Sequence, residues 1–177
     1  MTLDGFCDHT AGIADDETHQ HYNDLLRSAD TLIYGRKTYQ LMESYWPDIV
    51  TTPTGNKSED EFAVLIDTIQ KIVYSRNLKD VEWKNTILKH KIIKEELLGL
   101  KQQPGKNILV GSPSMIVAFT QLGLIDEYQI CVHPVILGSG LPLFKNIKET
   151  VDLKLLTTKT FRCGVVMLSY EPTKIIE

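Results

Sequence analysis

Two runs in this 177-residue chain join an apolar, strand-like stretch to a glycine and then to hydroxyl or basic residues that open a helix. They are Leu32-Ile33-Tyr34-Gly35-Arg36-Lys37-Thr38 and Ile108-Leu109-Val110-Gly111-Ser112-Pro113-Ser114. Such a junction presents backbone N–H groups and the positive end of a helix dipole, so each is a potential anion site. Glycine lets a ligand approach the main chain, while Arg36, Lys37 and Thr38 add charge and a hydroxyl. A pair of them suits a doubly anionic ligand such as a dinucleotide. Either one alone reads equally well as an ordinary strand-to-helix turn.

Arg76 follows a strand-like run over Lys71 to Ser75. If the sheet is parallel, that strand ends on the same rim as Gly35 and Gly111, which sets Ser75 and Arg76 beside Arg36 and Lys37. A guanidinium with neighbouring hydroxyls fits a phosphate monoester and favours NADP over NAD; the plainer alternative is a solvated arginine starting a turn. The standard nucleotide motifs are missing. The one GxG, Gly138-Ser139-Gly140, runs into Leu141-Pro142, which opposes a helix there, and Gly105-Lys106 lacks both the upstream glycine and the hydroxyl residue of a phosphate loop.

His9, Asp15, Asp16, Glu17, His19 and His21 invite a metal reading. On a helix over residues 17 to 29, however, His19 and His21 diverge by roughly 200° and cannot both reach one ion, so no metal site is assigned. His19 lies at the rim of that helix's apolar face and is a candidate pocket residue. Cys7, Cys131 and Cys163 are odd in number and widely spaced, which indicates neither disulfides nor zinc; they read as small apolar fillers.

These residues need elements to position them. Apolar spacing gives a helix over 17 to 29, a strand over 31 to 34, and a helix after Gly35 that Trp46-Pro47 breaks. A loop over 48 to 58 precedes a helix from Ser58 to Ile69, with Ser58 as cap and Glu61 in the capping-box position. Strands follow over 71 to 75 and 86 to 89, a helix over 91 to 100, a turn at Pro104-Gly105, and a strand over 107 to 110. Ser112 then caps a helix that has Pro113 in its first turn and runs to Gln121. The tail reads as strands over 128 to 132, 135 to 137, 153 to 161 and 165 to 170, the last two forming a hairpin. The whole is one α/β domain over residues 1 to 177, layered on a mainly parallel sheet with an antiparallel edge.

The composition, 42% hydrophobic and 24% charged, is that of a soluble globular chain, with no apolar stretch of membrane-spanning length. A net charge of −4 with dispersed lysines and arginines excludes a nucleic-acid footprint. No signal-peptide pattern follows Met1, so a cytoplasmic location is expected.

Five stretches in this order resemble one family: Thr2-Leu3-Asp4-Gly5-Phe6, Leu32 to Tyr39, Ile72-Val73-Tyr74-Ser75-Arg76, Ile108 to Ser112, and His133 to Phe144. The chain resembles the dihydrofolate reductase superfamily. Within it, the likeness is to bacterial proteins related to the reductase domain of the bifunctional riboflavin biosynthesis protein. The resemblance implies a three-layer α/β/α fold with a central mixed, mainly parallel sheet and an antiparallel C-terminal hairpin. It implies NADPH as cofactor and hydride transfer to a small heterocyclic or imine-type substrate, of dihydrofolate or riboflavin-pathway kind. By that resemblance Gly35, Arg36, Lys37, Thr38, Ser75 and Arg76 hold the adenosine phosphate, while Gly111, Ser112, Pro113, Ser114 and Met115 hold the pyrophosphate and nicotinamide side.

Asp4 and His19 are then the candidate catalytic residues, and Phe6, Gly138, Gly140 and Leu141 the substrate-binding ones. A homodimer through residues 126 to 137 is expected too. The chain departs from the family in carrying His19 where dihydrofolate reductases have an acidic residue and Phe6 where riboflavin-pathway reductases have a lysine. It also has fewer apolar residues than the family pattern ahead of Thr2. The alternative is a nucleotide-binding or regulatory module with the same fold and no turnover.

Overall fold

Residues 31 to 35 are buried on both faces of their strand, as befits a central strand of a parallel sheet. The computed structural model describes residues 1–12 and 15–173. In chain order its first elements are β1 (Phe6–Cys7), α1 (Asp16–Arg27), β2 (Ala29–Gly35), α2 (Arg36–Glu43), α3 (Trp46–Thr51), α4 (Lys57–Thr68), β3 (Gln70–Tyr74) and β4 (Thr86–Lys89). There follow α5 (Lys94–Lys101), β5 (Asn107–Val110), α6 (Pro113–Gln121), β6 (Tyr128–Val132), β7 (Leu141–Pro142), β8 (Leu153–Thr160) and β9 (Val166–Pro172). The result is the expected mixed α/β architecture, with a parallel central sheet and an antiparallel C-terminal hairpin. Among the described residues no helix is long and apolar enough to cross a membrane.

The chain divides into two compact units, Thr18–Met115 and the segments on either side of it. The first holds the parallel sheet, in the order β4-β3-β2-β5. Its registers pair Gly35 with Tyr74, Ile33 with Val110, and Tyr74 with Lys89, so all four strands end on one rim. Leu26, Leu32, Tyr34, Tyr39, Ile66, Val73 and Trp83 form its buried apolar core.

The polar groups of Trp83 and Lys71 enter this core with partners. The Trp83 backbone N–H donates to the Tyr39 hydroxyl at 3.3 Å and to Glu43 at 3.2 Å, and its indole N–H donates to Asp67 at 2.8 Å. Lys71, with no exposed surface, donates to the carbonyls of Ile66, Asp67 and Ile69 at 2.9 to 3.1 Å and lies 4.4 Å from the Trp83 ring centroid. The ammonium thus occupies the C-terminal end of α4, where unsatisfied carbonyls concentrate negative potential. Trp83 in turn ties the segment after Ser75-Arg76 back to α2 and α4.

The second unit contains a three-stranded antiparallel sheet, β6-β9-β8, and the short pair β1-β7. Gly164, at a φ of +86°, closes the β8-β9 turn in a conformation that favours glycine. Met1 to Leu3 run beside residues 131 to 135: Thr2 bridges His133, and the Leu3 N–H donates to the Val135 carbonyl at 2.8 Å.

Three local expectations fail for identifiable reasons. Trp46-Pro47 does not simply end a helix; Pro47 sits in the first turn of α3, where its missing N–H costs nothing, so part of the expected loop over 48 to 58 is helical. The cap of α4 is Asn56 rather than Ser58, because the Asn56 side chain accepts the N–H groups of both Ser58 and Glu59. Residues 135 to 137 do not form a strand; the chain there is irregular, and the Leu137 N–H is bound by the Asp4 side chain.

Candidate functional site

In the Thr18–Met115 unit the two glycine junctions lie side by side, because β2 and β5 are adjacent and parallel. Their N–H groups are already engaged. Gly35 donates to the buried Ser112 hydroxyl at 2.9 Å, and Gly111 donates to the Ile33 carbonyl at 3.0 Å. A Cβ would crowd both positions: one on Gly35 would lie 2.8 Å from Ser114 Oγ, on a side chain that can turn aside, and one on Gly111 would lie 2.7 Å from the ring of buried Tyr34. The donors that remain begin one residue further on. No side chain caps α2, its first turn has no acidic residue, and that turn opens with Arg36 and Lys37.

The next strand adds to the same rim. Ser75 is buried, and its hydroxyl accepts the N–H groups of Asn77 and Leu78 at 3.2 and 3.0 Å, which turns the chain after β3 and leaves Arg76 exposed. Beyond β4, His90 Nδ1 lies 2.8 Å from the Ser75 carbonyl oxygen, a contact that requires the proton on Nδ1. Around the β2 and β3 ends stand Arg36, Lys37 and Arg76, a cationic group suited to a phosphate monoester. The first residues of α6 are graded in burial: Ser114 is exposed, Pro113 half-buried and Met115 buried.

In the other unit, Asp4, Phe6, Gly138, Gly140 and Leu141 come together. Asp4 accepts the Thr2 hydroxyl at 2.6 Å and the backbone N–H groups of Leu137 and Gly138 at 3.1 and 2.7 Å. The Thr2 hydroxyl, then the Gly138 N–H, hold the Asp4 carboxyl below the usual carboxylate range. Phe6 pairs with Pro142, and Cys7 with Leu141, while Gly140, at a φ of +146°, packs its backbone against the Phe6 side chain. Burial pushes the Cys7 thiol up, away from the reactive thiolate.

The model of the RibD C-terminal domain family matches residues 1–167. The chain belongs to that family. It is similar to the uncharacterized protein YyaP of Bacillus subtilis (strain 168), 37% identical over 174 residues that cover 96% of this chain and 90% of that protein. Among solved structures, a putative riboflavin biosynthesis protein from Shewanella sp. PV-4 superposes with a TM-score of 0.73 at 17% identity, over 98% of this chain and 96% of the other. The dihydrofolate reductase of Enterococcus faecalis, solved with NADP(H), superposes with a TM-score of 0.57 at 14% identity, over 96% and 94%. At these identities the structural likeness establishes a shared fold.

The structure places the candidates in two groups: Gly35 to Thr38, Ser75, Arg76 and Gly111 to Met115 in one unit, and Asp4, Phe6 and Gly138 to Leu141 in the other. His19 is half-buried on α1, in the Thr18–Met115 unit, and does not share a unit with Asp4. Two further residues, His90 and Thr2, hold these candidates in place. His90 follows β4 immediately, and only the parallel pairing of β4 with β3 brings it to the rim. Thr2, 2% exposed, holds both Asp4 and the Phe6 N–H, and the local signal was its spacing, a hydroxyl two residues before the carboxylate.

Proposed function

We propose that this protein is an NADPH-dependent reductase that reduces a small heterocyclic or imine-type substrate. The observation that carries the reading is the rim formed by the uncapped start of α2, with Arg36 and Lys37, next to the strand end that displays Arg76. Its donors fit a phosphate monoester in number and charge. Arg36, Lys37, Thr38 and Arg76 would hold the adenosine phosphate, and Gly111 with Pro113, Ser114 and Met115 the remainder of the dinucleotide. Ser75 and Ser112 would support these groups from behind, since both hydroxyls are buried and engaged. NADPH, when bound, supplies the hydride.

The protein's own part is orientation. Phe6 and the Gly138–Leu141 loop offer an aromatic face and main-chain groups on which a flat heterocycle could stack and hydrogen-bond. Calorimetric titration with NADPH, followed by NADPH-oxidation assays over a panel of pterins, pyrimidinones and quinones, tests the proposal. Saturable binding with turnover of a panel member supports it; absence of binding at millimolar NADPH refutes it. Binding without turnover of any compound would favour a regulatory module that keeps the fold.

The active form is proposed to be a homodimer that pairs through residues 126 to 137 and their neighbours. Ile136 is 73% exposed and Leu3 63% exposed, and the Leu3 N–H donates to the carbonyl of Val135, the residue before Ile136. Apolar side chains so exposed suit burial against a second copy.

A further inference from the structure

We infer that Asp4 is a positioning residue: its carboxylate is the built-in anion of a backbone nest at Leu137–Gly138, and it fixes the loop that carries Gly138, Gly140 and Leu141. The inference rests on the reading of that loop as the substrate-binding segment. The carboxylate accepts two successive main-chain N–H groups, and Gly138 adopts the left-handed φ of +75° that lets neighbouring N–H groups converge on one anion. Thr2 supplies a third donor, and the same Thr2 oxygen accepts the Phe6 N–H at 3.0 Å. One buried hydroxyl thus sets both the carboxylate and the start of β1.

The far side of the loop is held independently. The Leu143 N–H donates to the Gly5 carbonyl at 3.0 Å, and β7 pairs with β1. Among the described residues, Asp4 is a charged support of this loop through its hydrogen bonds to the Leu137 and Gly138 N–H groups. A carboxylate that three donors keep ionised is poorly placed to give up or take a proton near neutral pH; the loop needs its negative charge. Asp4 accordingly acts on substrate through Gly138 to Leu141.

Amide hydrogen exchange followed by NMR, with formate as a probe anion, tests this without reference to any substrate. In Asp4→Ala, exchange of the Leu137 and Gly138 amides should quicken about tenfold or more, while the amides of β2 keep their protection. Formate at high millimolar concentration should slow those two amides again by refilling the nest, and Asp4→Asn, which keeps one accepting oxygen but loses the charge and the second acceptor, should hold only a small part of the protection. Unchanged Leu137 and Gly138 exchange in Asp4→Ala overturns the inference.

With any substrate that turns over, Asp4→Ala should raise KM about tenfold and leave kcat within about threefold. Formate should recover the KM, and NADPH affinity should be unaltered. A collapse of kcat at constant KM would instead make Asp4 a catalytic group and overturn the positioning role. If the wild-type protein neither binds nor oxidises NADPH, the functional reading fails while the amide measurement still decides the nest.

Discussion

Ser112 Oγ accepts the Gly35 N–H at 2.9 Å inside the protein, joining the ends of two adjacent parallel strands 77 residues apart. This bond changes the meaning of both glycine junctions. The first N–H of each is spent on holding β2 and β5 together, so a bound anion would take its donors from the first turn of α2 and from exposed Ser114. The glycines serve close approach of main chains and side chains more than approach of a ligand.

The two glycines should therefore respond differently to the same substitution. Gly111→Ala places a methyl group against the ring of Tyr34, which is 4% exposed and has no room to withdraw, so it should cost about 1–3 kcal/mol and weaken NADPH binding. Gly35→Ala crowds Ser114 Oγ, on an exposed side chain that can rotate, and meets Met115 at ordinary contact distance, so it should cost less. Urea denaturation of the two variants checks the order.

Arg76 should discriminate between the two nicotinamide cofactors. Arg76→Ala should raise the NADPH Kd about tenfold and leave the NADH Kd unchanged, and the difference should shrink in high salt because the side chain is exposed. Equal losses for both cofactors would place the arginine elsewhere on the dinucleotide.

The rim was legible in the sequence because parallel strands align their C-terminal ends by topology, and each strand announced itself as a short apolar run: 31 to 34, 71 to 75, 107 to 110. What the pattern could not convey is which donors are already used. The Ser112–Gly35 bond, and the engagement of Ser75 by Asn77 and Leu78, exist only once the chain is folded. Residues 135 to 137 show the opposite error. Val135-Ile136-Leu137 carries the composition of a strand, yet Asp4, over 130 residues earlier, claims the Leu137 N–H. The cap of α4 was misplaced by two residues for a similar reason, since Asn56 and Ser58 are both good caps and only geometry decides between them.

Lys71 should make stability depend on alkaline pH. Burial pulls its amine from 10.5 down to about 8, so between those values the unfolded chain binds more protons than the folded one. The penalty for burying the charge is complete below about pH 8 and disappears as the pH rises to 10.5. Relative to Lys71→Met, the wild-type protein should thus gain up to about 3 kcal/mol across that window. Titrations of Tyr34 and Tyr39, which burial pushes up, are common to both proteins and cancel in the difference. Parallel stability curves would show that Lys71 is not desolvated.

The proposed homodimer should depend on the exposed apolar pair. Sedimentation should find a dimer at micromolar concentration in the wild type and a monomer in Ile136→Glu, since a charge at the centre of an interface is left without a partner. A wild-type monomer at those concentrations would remove the dimer from the account.

The central claim is that the rim binds a dinucleotide bearing a phosphate monoester, and parallel calorimetric titrations with NADPH and NADH test it most directly. The account predicts one site per chain and NADPH binding at least about tenfold tighter than NADH. Equal affinity for the two, or no heat of binding at millimolar NADPH, would contradict it.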